Sequence, residues 1–164
     1  MQRTGASVAL RLPLAPAAER QYRYPNMDEL DSRIEAAMAK YDGGNFELLP
    51  ETDQILVAIW GIEAEVNNGG FDQFFFNSAG DQAYFAPQAL AAIGARRMAD
   101  IASRANAVFG AGGPPRSRDE RQSKLEEITA NGHAPWDELD REFQAYPDDI
   151  RRLLEEFVNV KRAG

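Results

Sequence analysis

Two hydrophobic patterns of helical period meet at a pair of glycines, and that junction does most to constrain the fold. Ile55, Ile59, Ile62 and Val66 form a stripe spaced by three or four residues, widened by Leu56 and Trp60. A stripe that broad belongs to a helix buried over much of its circumference. Pro50, Glu51 and Asp53 mark its start, since proline fits a first turn and acids suit the positive end of the helix dipole. Asn67-Asn68-Gly69-Gly70 then predicts a helix stop and a sharp reversal, because Asn and Gly tolerate positive φ. Phe71, Phe74 and Phe75 fit the core side of a short following helix, with Phe76 a further anchor. Asp72, Gln73 and Asn77 face out, and Gly80-Asp81 closes the segment.

The same period recurs along the rest of the chain. Asn26 is placed to cap a helix carrying Leu30, Ile34, Ala37, Met38 and Tyr41 inside and Asp28, Asp31 and Glu35 outside, stopped by Gly43-Gly44. A long helix is expected from near Pro87 to Phe109, with Leu90, Ile93, Met98, Ile101, Ala105 and Val108 on its apolar face and Gly94 allowing a close neighbour. Gly110 to Pro115 is a loop. It lacks the Lys-Ser/Thr ending of a phosphate-binding loop. A further helix runs through Leu125 and Ile128 to Asn131-Gly132. Another opens at Pro135 with Trp136, Leu139, Phe143 and Tyr146 inside. Pro147 breaks it, and Asp148-Asp149 start a last helix with Ile150, Leu153, Leu154, Phe157 and Val158 inside. Strand-type alternation is limited to a weak hint in residues 7–14. The reading is an all-α fold of about six or seven helices, with a loose or extended arm over residues 1–25 and one compact helical domain over 26–164.

Composition excludes several kinds of chemistry. The 164 residues include no Cys and one His, His133, so thiolate chemistry is absent and a histidine-based metal site or triad lacks material. No metal and no cofactor is expected. No run approaches the roughly 18 apolar residues of a membrane span. Arg11 and Pro13 interrupt the apolar patch near the start, whereas a signal peptide needs about 7–15 unbroken apolar residues, so a cytoplasmic protein is expected. The aromatic residues follow helical periodicity and have no basic groove beside them, which argues against direct nucleic-acid binding.

Charge is unevenly placed. The net charge is −8, yet residues 1–40 and 96–164 are close to neutral. Residues 41–95 hold eight acids (Asp42, Glu47, Glu51, Asp53, Glu63, Glu65, Asp72 and Asp81) and no Lys or Arg. Such a field repels nucleic acid and attracts basic surfaces. The plain alternative is solubility, with pairing against Arg96, Arg97 and Arg104 as the first bases that follow. Glu63 and Glu65, two apart on a helix, do not share a face and make a poor paired-carboxylate site. Asn and Gly between them and Phe71 are first of all caps and turn formers.

The run EAEVNNGGFDQFFFNSAGD, Glu63 to Asp81, resembles the signature of a bacterial family of formerly uncharacterised all-α domains that contains an acidic DNA-mimic protein. The family's Asn-Gly-Gly-Phe-x-Gln-Phe-Phe-x-Asn-like segment is matched by Asn68, Gly69, Gly70, Phe71, Gln73, Phe74, Phe75 and Asn77, with Asn67 before it. Its leading Glu is either Glu63 or Glu65. PPRSRDERQSKLEEI (Pro114 to Ile128) and WDELDREFQAYPDDIRRLLEEF (Trp136 to Phe157) are also similar, so the resemblance covers roughly residues 45–160. It implies a helical fold, with a homodimer as an open expectation.

For function the resemblance implies a non-enzymatic acidic module that engages a basic, DNA-binding protein as a DNA mimic or inhibitor. Candidate contacts are Asp28, Asp31, Glu35, Glu47, Glu51, Asp53, Glu63, Glu65, Asp72 and Asp81. An immunity protein or antitoxin that plugs a cognate toxin is the second reading. An enzyme using Glu63, Glu65, Asn67, Asn68 and Asp72 is the third. The twelve bases among residues 96–164 stand against simple mimicry.

Overall fold

The computed structural model describes residues 29–42 and 44–163, and every regular element among them is helical. In order these are α1 (Glu29–Tyr41), α2 (Glu51–Phe76), α3 (Ala86–Ala92), α4 (Arg96–Ala107), α5 (Arg118–Ile128), α6 (Asp137–Gln144) and α7 (Ile150–Ala163). Short 3-10 turns at Phe46–Leu48, Ser78–Gln82 and Ala130–Gly132 join some of them. The arm, the Asn26 cap, Asp28 and the strand hint at 7–14 lie outside the described residues.

α2 is the axis of the fold. Ile55, Leu56, Val57, Ala58 and Ile59 are consecutively buried, followed by Gly61, Ile62 and Val66. A helix apolar over most of its circumference must be covered over most of it, and α1, α3, α5 and α6 each pack against it. The apolar faces of α4, α6 and α7 close one continuous core with it. Trp60 departs from the expected stripe. It stays 36% exposed, on a flank of α2 where Ala64 and Asn67 are exposed as well.

The two glycines break α2 without ending it. Gly69 (φ −157°, ψ 19°) and Gly70 (φ 77°, ψ −177°) leave helical geometry, and the helix resumes at Phe71. The expected stop is therefore a kink inside one element. Gly70 occupies a region of φ and ψ that is essentially reserved for glycine, and a Cβ there would collide with the Asp140 carboxylate. That carboxylate accepts the Phe71 N–H at 2.7 Å. A side chain from α6 thus satisfies a backbone donor that the kink has orphaned. Phe71, Phe74 and Phe75 then enter the core against Phe109, Trp136 and Phe143, with Phe75 4.8 Å edge-on to Phe109. Phe76, expected as an anchor, is 43% exposed.

The helix expected from Pro87 to Phe109 is two helices. Gly94 takes φ +91° and separates α3 from α4, a conformation that costs an L-residue roughly 1–2 kcal/mol. Ala95 offers α4 no side-chain cap, so the Asp148 carboxylate fills the gap. It accepts from the backbone N–H groups of Arg97 at 2.8 Å and Met98 at 2.9 Å. Tyr146, expected on the core face of α6, lies past its end at φ +48° and is 42% exposed. No described helix is long and apolar enough to cross a membrane.

Candidate partner-binding surface

The residues of the Asn-Gly-Gly-Phe segment are held by one another. Glu65 stands one and a half turns before the kink, and its Oε2 accepts from Gln73 Nε2 at 2.6 Å and Asn77 Nδ2 at 2.8 Å. The carboxylate therefore ties the first half of α2 to the second and fixes the angle between them. Of the two candidates for the leading Glu, Glu65 is the one that meets the motif. Asn67 Nδ2 donates to the Tyr146 hydroxyl at 2.6 Å, and that hydroxyl donates to Glu63 Oε1 at 2.8 Å. Asn68 is exposed. Glu63 and Glu65 thus serve separate networks on opposite sides of α2, as two positions at about 100° per residue require. They do not converge on the shared cleft that an enzymatic reading of Glu63, Glu65, Asn67, Asn68 and Asp72 calls for.

At the far end of the segment, Arg121 of α5 is fully buried, and sequence reasoning passed over it inside a charged run. Its guanidinium donates to the carbonyls of Phe75 (2.7 Å), Asn77 (3.3 Å), Pro115 (3.1 Å) and Arg116 (3.3 Å) and to Asp81 Oδ1 (2.6 Å). The first two carbonyls belong to the open C-terminal end of α2, where a cation is favoured by the helix dipole as well as by the hydrogen bonds. Gly80 has no side chain because a Cβ there would lie 2.9 Å from Arg121 Nε and 2.6 Å from the Phe74 carbonyl. The only signal in the sequence was an arginine at a position where the period of Leu125 and Ile128 calls for an apolar residue.

Glu47, Asp53 and Asp81 of the acidic block are neutralised from within. Asp53 is buried and paired with Lys40 at 2.5 Å. Asp81 meets both Arg118 and Arg121. Glu47 faces Arg116 at 3.4 Å and accepts the Tyr84 hydroxyl; outside the block, Asp31 faces Arg151 at 3.4 Å. The Arg116 guanidinium also stacks 3.5 Å over the Tyr84 ring. Burial first, and then the Glu47 carboxylate, raise the Tyr84 hydroxyl above its ordinary value. The partners expected for the block, Arg96, Arg97 and Arg104, are not the ones used. Arg104 binds Asp100 and Glu142, which holds the Glu142 carboxyl below its usual range. Glu35 and Glu51 are exposed and in no ion pair among the described residues. Asp72 is exposed.

Further exposed acids lie where the sequence block did not point. Asp119, Glu120 and Glu126 on α5, and Asp137 and Glu138 on α6, are exposed and carry no ion pair among the described residues. Beside the kink, Asp72 and Asp137 come close enough to act on Asp140. Burial raises the Asp140 carboxyl above its ordinary range, the Phe71 N–H opposes that, and the charges of Asp137 and Asp72 add to the rise. His133 is exposed in the loop before α6. Among the described residues no group of three or more His, Cys, Asp or Glu side chains is arranged to hold a metal ion.

A family model described as DMP19-like protein matches residues 47–161. No curated protein and no solved structure matches the chain.

Proposed function

This chain belongs to the DMP19-like protein family, and from that premise we propose that it is a non-enzymatic, acidic binding module whose surface engages a basic, DNA-binding protein. The observation that carries the reading is the division of the acids into two sets. One set is spent on Lys40, Arg116, Arg118, Arg121 and Arg151. The other set stands exposed without a counter-ion and sits largely on α5 and α6, together with Glu35 and Glu51. Of the bases in residues 96–164, Arg116, Arg118, Arg121 and Arg151 are engaged in the first set, and Arg104, Lys124 and Arg152 pair with acids of their own stretch. The acids left without a counter-ion are the ones available to a partner.

Acids three or four apart on a helix have Cβ atoms about 5–6 Å apart, whereas duplex phosphates supply one charge per roughly 3.4 Å of axis per strand. Helices at that density approximate a duplex to a protein that reads phosphate charge. Such an encounter takes place in the cytoplasm and is steered by long-range charge.

The immobilised chain is expected to retain basic DNA-binding proteins from a bacterial lysate, identified by mass spectrometry. Retention should fall as salt shortens the Debye length from about 10 Å at 0.1 M to 3 Å at 1 M, and duplex DNA should compete. Charge reversal at Glu35, Glu51 and Glu138 should abolish it with helicity unchanged. Reversal at Asp53 is the wrong test, since it breaks the buried pair with Lys40. Retention that ignores both salt and duplex DNA refutes the proposal, as does no retention.

A further inference from the structure

The uncovered flank of α2 carries more than charge. Trp60, Glu63 and Asn67 fall at i, i+3 and i+7 and so form one stripe along the helix. Ala64, between them, is exposed as well. Tyr146 leans over the stripe from the corner between α6 and α7, with its hydroxyl clamped between the Glu63 carboxylate and the Asn67 amide. The result is an open surface in which a carboxylate is flanked by two exposed aromatic residues, Trp60 at 36% and Tyr146 at 42%.

Three features set this surface apart from ordinary solvated helix. Glu63 has no cation within the described chain, because its one hydrogen-bond partner is the uncharged phenol. The carboxylate is therefore fixed in direction without a counter-ion among the described residues. Tyr146 holds φ +48°, a left-handed conformation that a bulky residue adopts only when its surroundings enforce it, and Pro147 follows directly. The phenol is raised to about 12, by burial first and then by the Glu63 carboxylate, so it remains a donor throughout the neutral range. Trp60, finally, has no partner for its indole N–H among the described residues, while the other tryptophan, Trp136, is buried and donates to the Ala105 carbonyl at 3.1 Å.

We infer that Trp60, Glu63 and Tyr146 form a slot for a single protruding arginine or lysine side chain of the basic partner. The carboxylate meets the cation, and the exposed aromatic faces beside it attract the same charge through their quadrupoles. Trp and Tyr are the residues that concentrate binding energy at interfaces, since they bury large area at low conformational cost. Asn67 acts as a positioning residue, because it works on the cation only through the Tyr146 hydroxyl that orients Glu63. The inference rests on the basic-partner reading above and adds where the central contact lies.

The test uses the full chain and tetra-arginine amide as the probe, with tetra-citrulline amide as the neutral control, followed by NMR of the two indole N–H groups. The Trp60 resonance should shift saturably with tetra-arginine, the Trp136 resonance should stay, and tetra-citrulline should move neither. Glu63→Gln should weaken the apparent affinity by up to about fivefold, in line with a partly exposed pair. Trp60→Ala, read from the Tyr146 ring signals, should weaken it about threefold, as an exposed cation–π contact does. Tyr146→Phe should weaken it with urea stability measured alongside, and Glu35→Gln with Glu51→Gln should leave the Trp60 shift unchanged. A Trp60 resonance that does not move, or that moves equally in Glu63→Gln, overturns the slot. Salt-sensitive lysate retention that survives Trp60→Ala and Glu63→Gln overturns the slot alone and leaves the broader reading standing. Loss of retention by the unaltered chain overturns the reading beneath it.

Discussion

Replacing Arg121 by Met removes a charge from a place that no solvent can reach. The side chain is 0% exposed and donates to four backbone carbonyls and one carboxylate. Met matches the length of the stem but leaves the carbonyls of Phe75, Asn77, Pro115 and Arg116 without this donor. Breaking a buried, hydrogen-bonded charge pair by removing one member costs about 3–5 kcal/mol. Asp81 retains Arg118 as a second partner, which moderates the loss on the carboxylate but not on the carbonyls. A cost of about 4 kcal/mol lowers the melting temperature of a domain this size by roughly 10–15 °C, at some 2–4 °C per kcal/mol. It is a large share of the 5–15 kcal/mol that holds a typical domain folded, so the experiment is done by urea titration at low temperature. Arg118→Met is the internal control. It binds the same Asp81 from a side chain 46% exposed, and its loss should cost less than about 1 kcal/mol. Arg121→Lys should recover only part of the loss, since an ammonium lacks the planar fork that reaches five acceptors. An Arg121→Met variant within about 1 kcal/mol of the parent, at an unchanged urea slope, refutes the claim that this guanidinium anchors α5 to the end of α2.

Two further outcomes follow from the kink. Gly70→Ala forces an L-residue into a glycine-only conformation and drives its Cβ into the Asp140 carboxylate, so a loss of at least about 2 kcal/mol is expected. Adding Asp140→Ala should recover the steric part and not the backbone part, a coupling that a double-mutant cycle of urea midpoints measures. Asp140 also gives a pH signature. Its carboxyl is raised in the fold, so the native state holds this proton more tightly than the unfolded chain does. Stability is then lost as pH rises from the ordinary Asp range near 3.9 through the raised folded value. Asp140→Asn still presents an oxygen to the Phe71 N–H and removes that slope. The variant should gain on the parent as pH climbs from about 3 to 7, and a constant difference between the two urea midpoints across that range refutes the assignment.

How much of this was legible in the sequence depends on which residues are asked about. The period of Ile55, Ile59, Ile62 and Val66 announced a helix buried on most sides, and it is the central helix of the fold. The helical run that ends in the 3-10 turn Ala130–Gly132 stops at Asn131-Gly132 as composition put it, whereas α6 ends at Gln144, short of Pro147. The Gly69-Gly70 break was legible as a break but not as a kink. Whether a chain reverses or continues past a glycine depends on what receives the freed N–H, and the receiver, Asp140, is some seventy residues away. Gly94 misled for a related reason. Its apolar neighbours keep helical period on both sides, and only the Asp148 cap supplied from the start of α7 makes a second helix start there acceptable.

The sequence by itself determined an all-helical chain, its family, and a net negative charge gathered ahead of residue 96. These are properties of local periodicity, turn chemistry and counting, which survive without knowledge of the fold. Only the tertiary structure decided which acids remain available. Asp53 and Asp81 vanish into pairs with Lys40, Arg118 and Arg121, and Asp140 and Asp148 become caps for helices they do not belong to. Acids such as Asp119, Glu120 and Glu138, unremarkable in the sequence, keep their charge exposed. The physical reason is that a carboxylate's worth to a partner depends on the cation or N–H it already faces. That neighbour is chosen by packing across the chain and not by position along it.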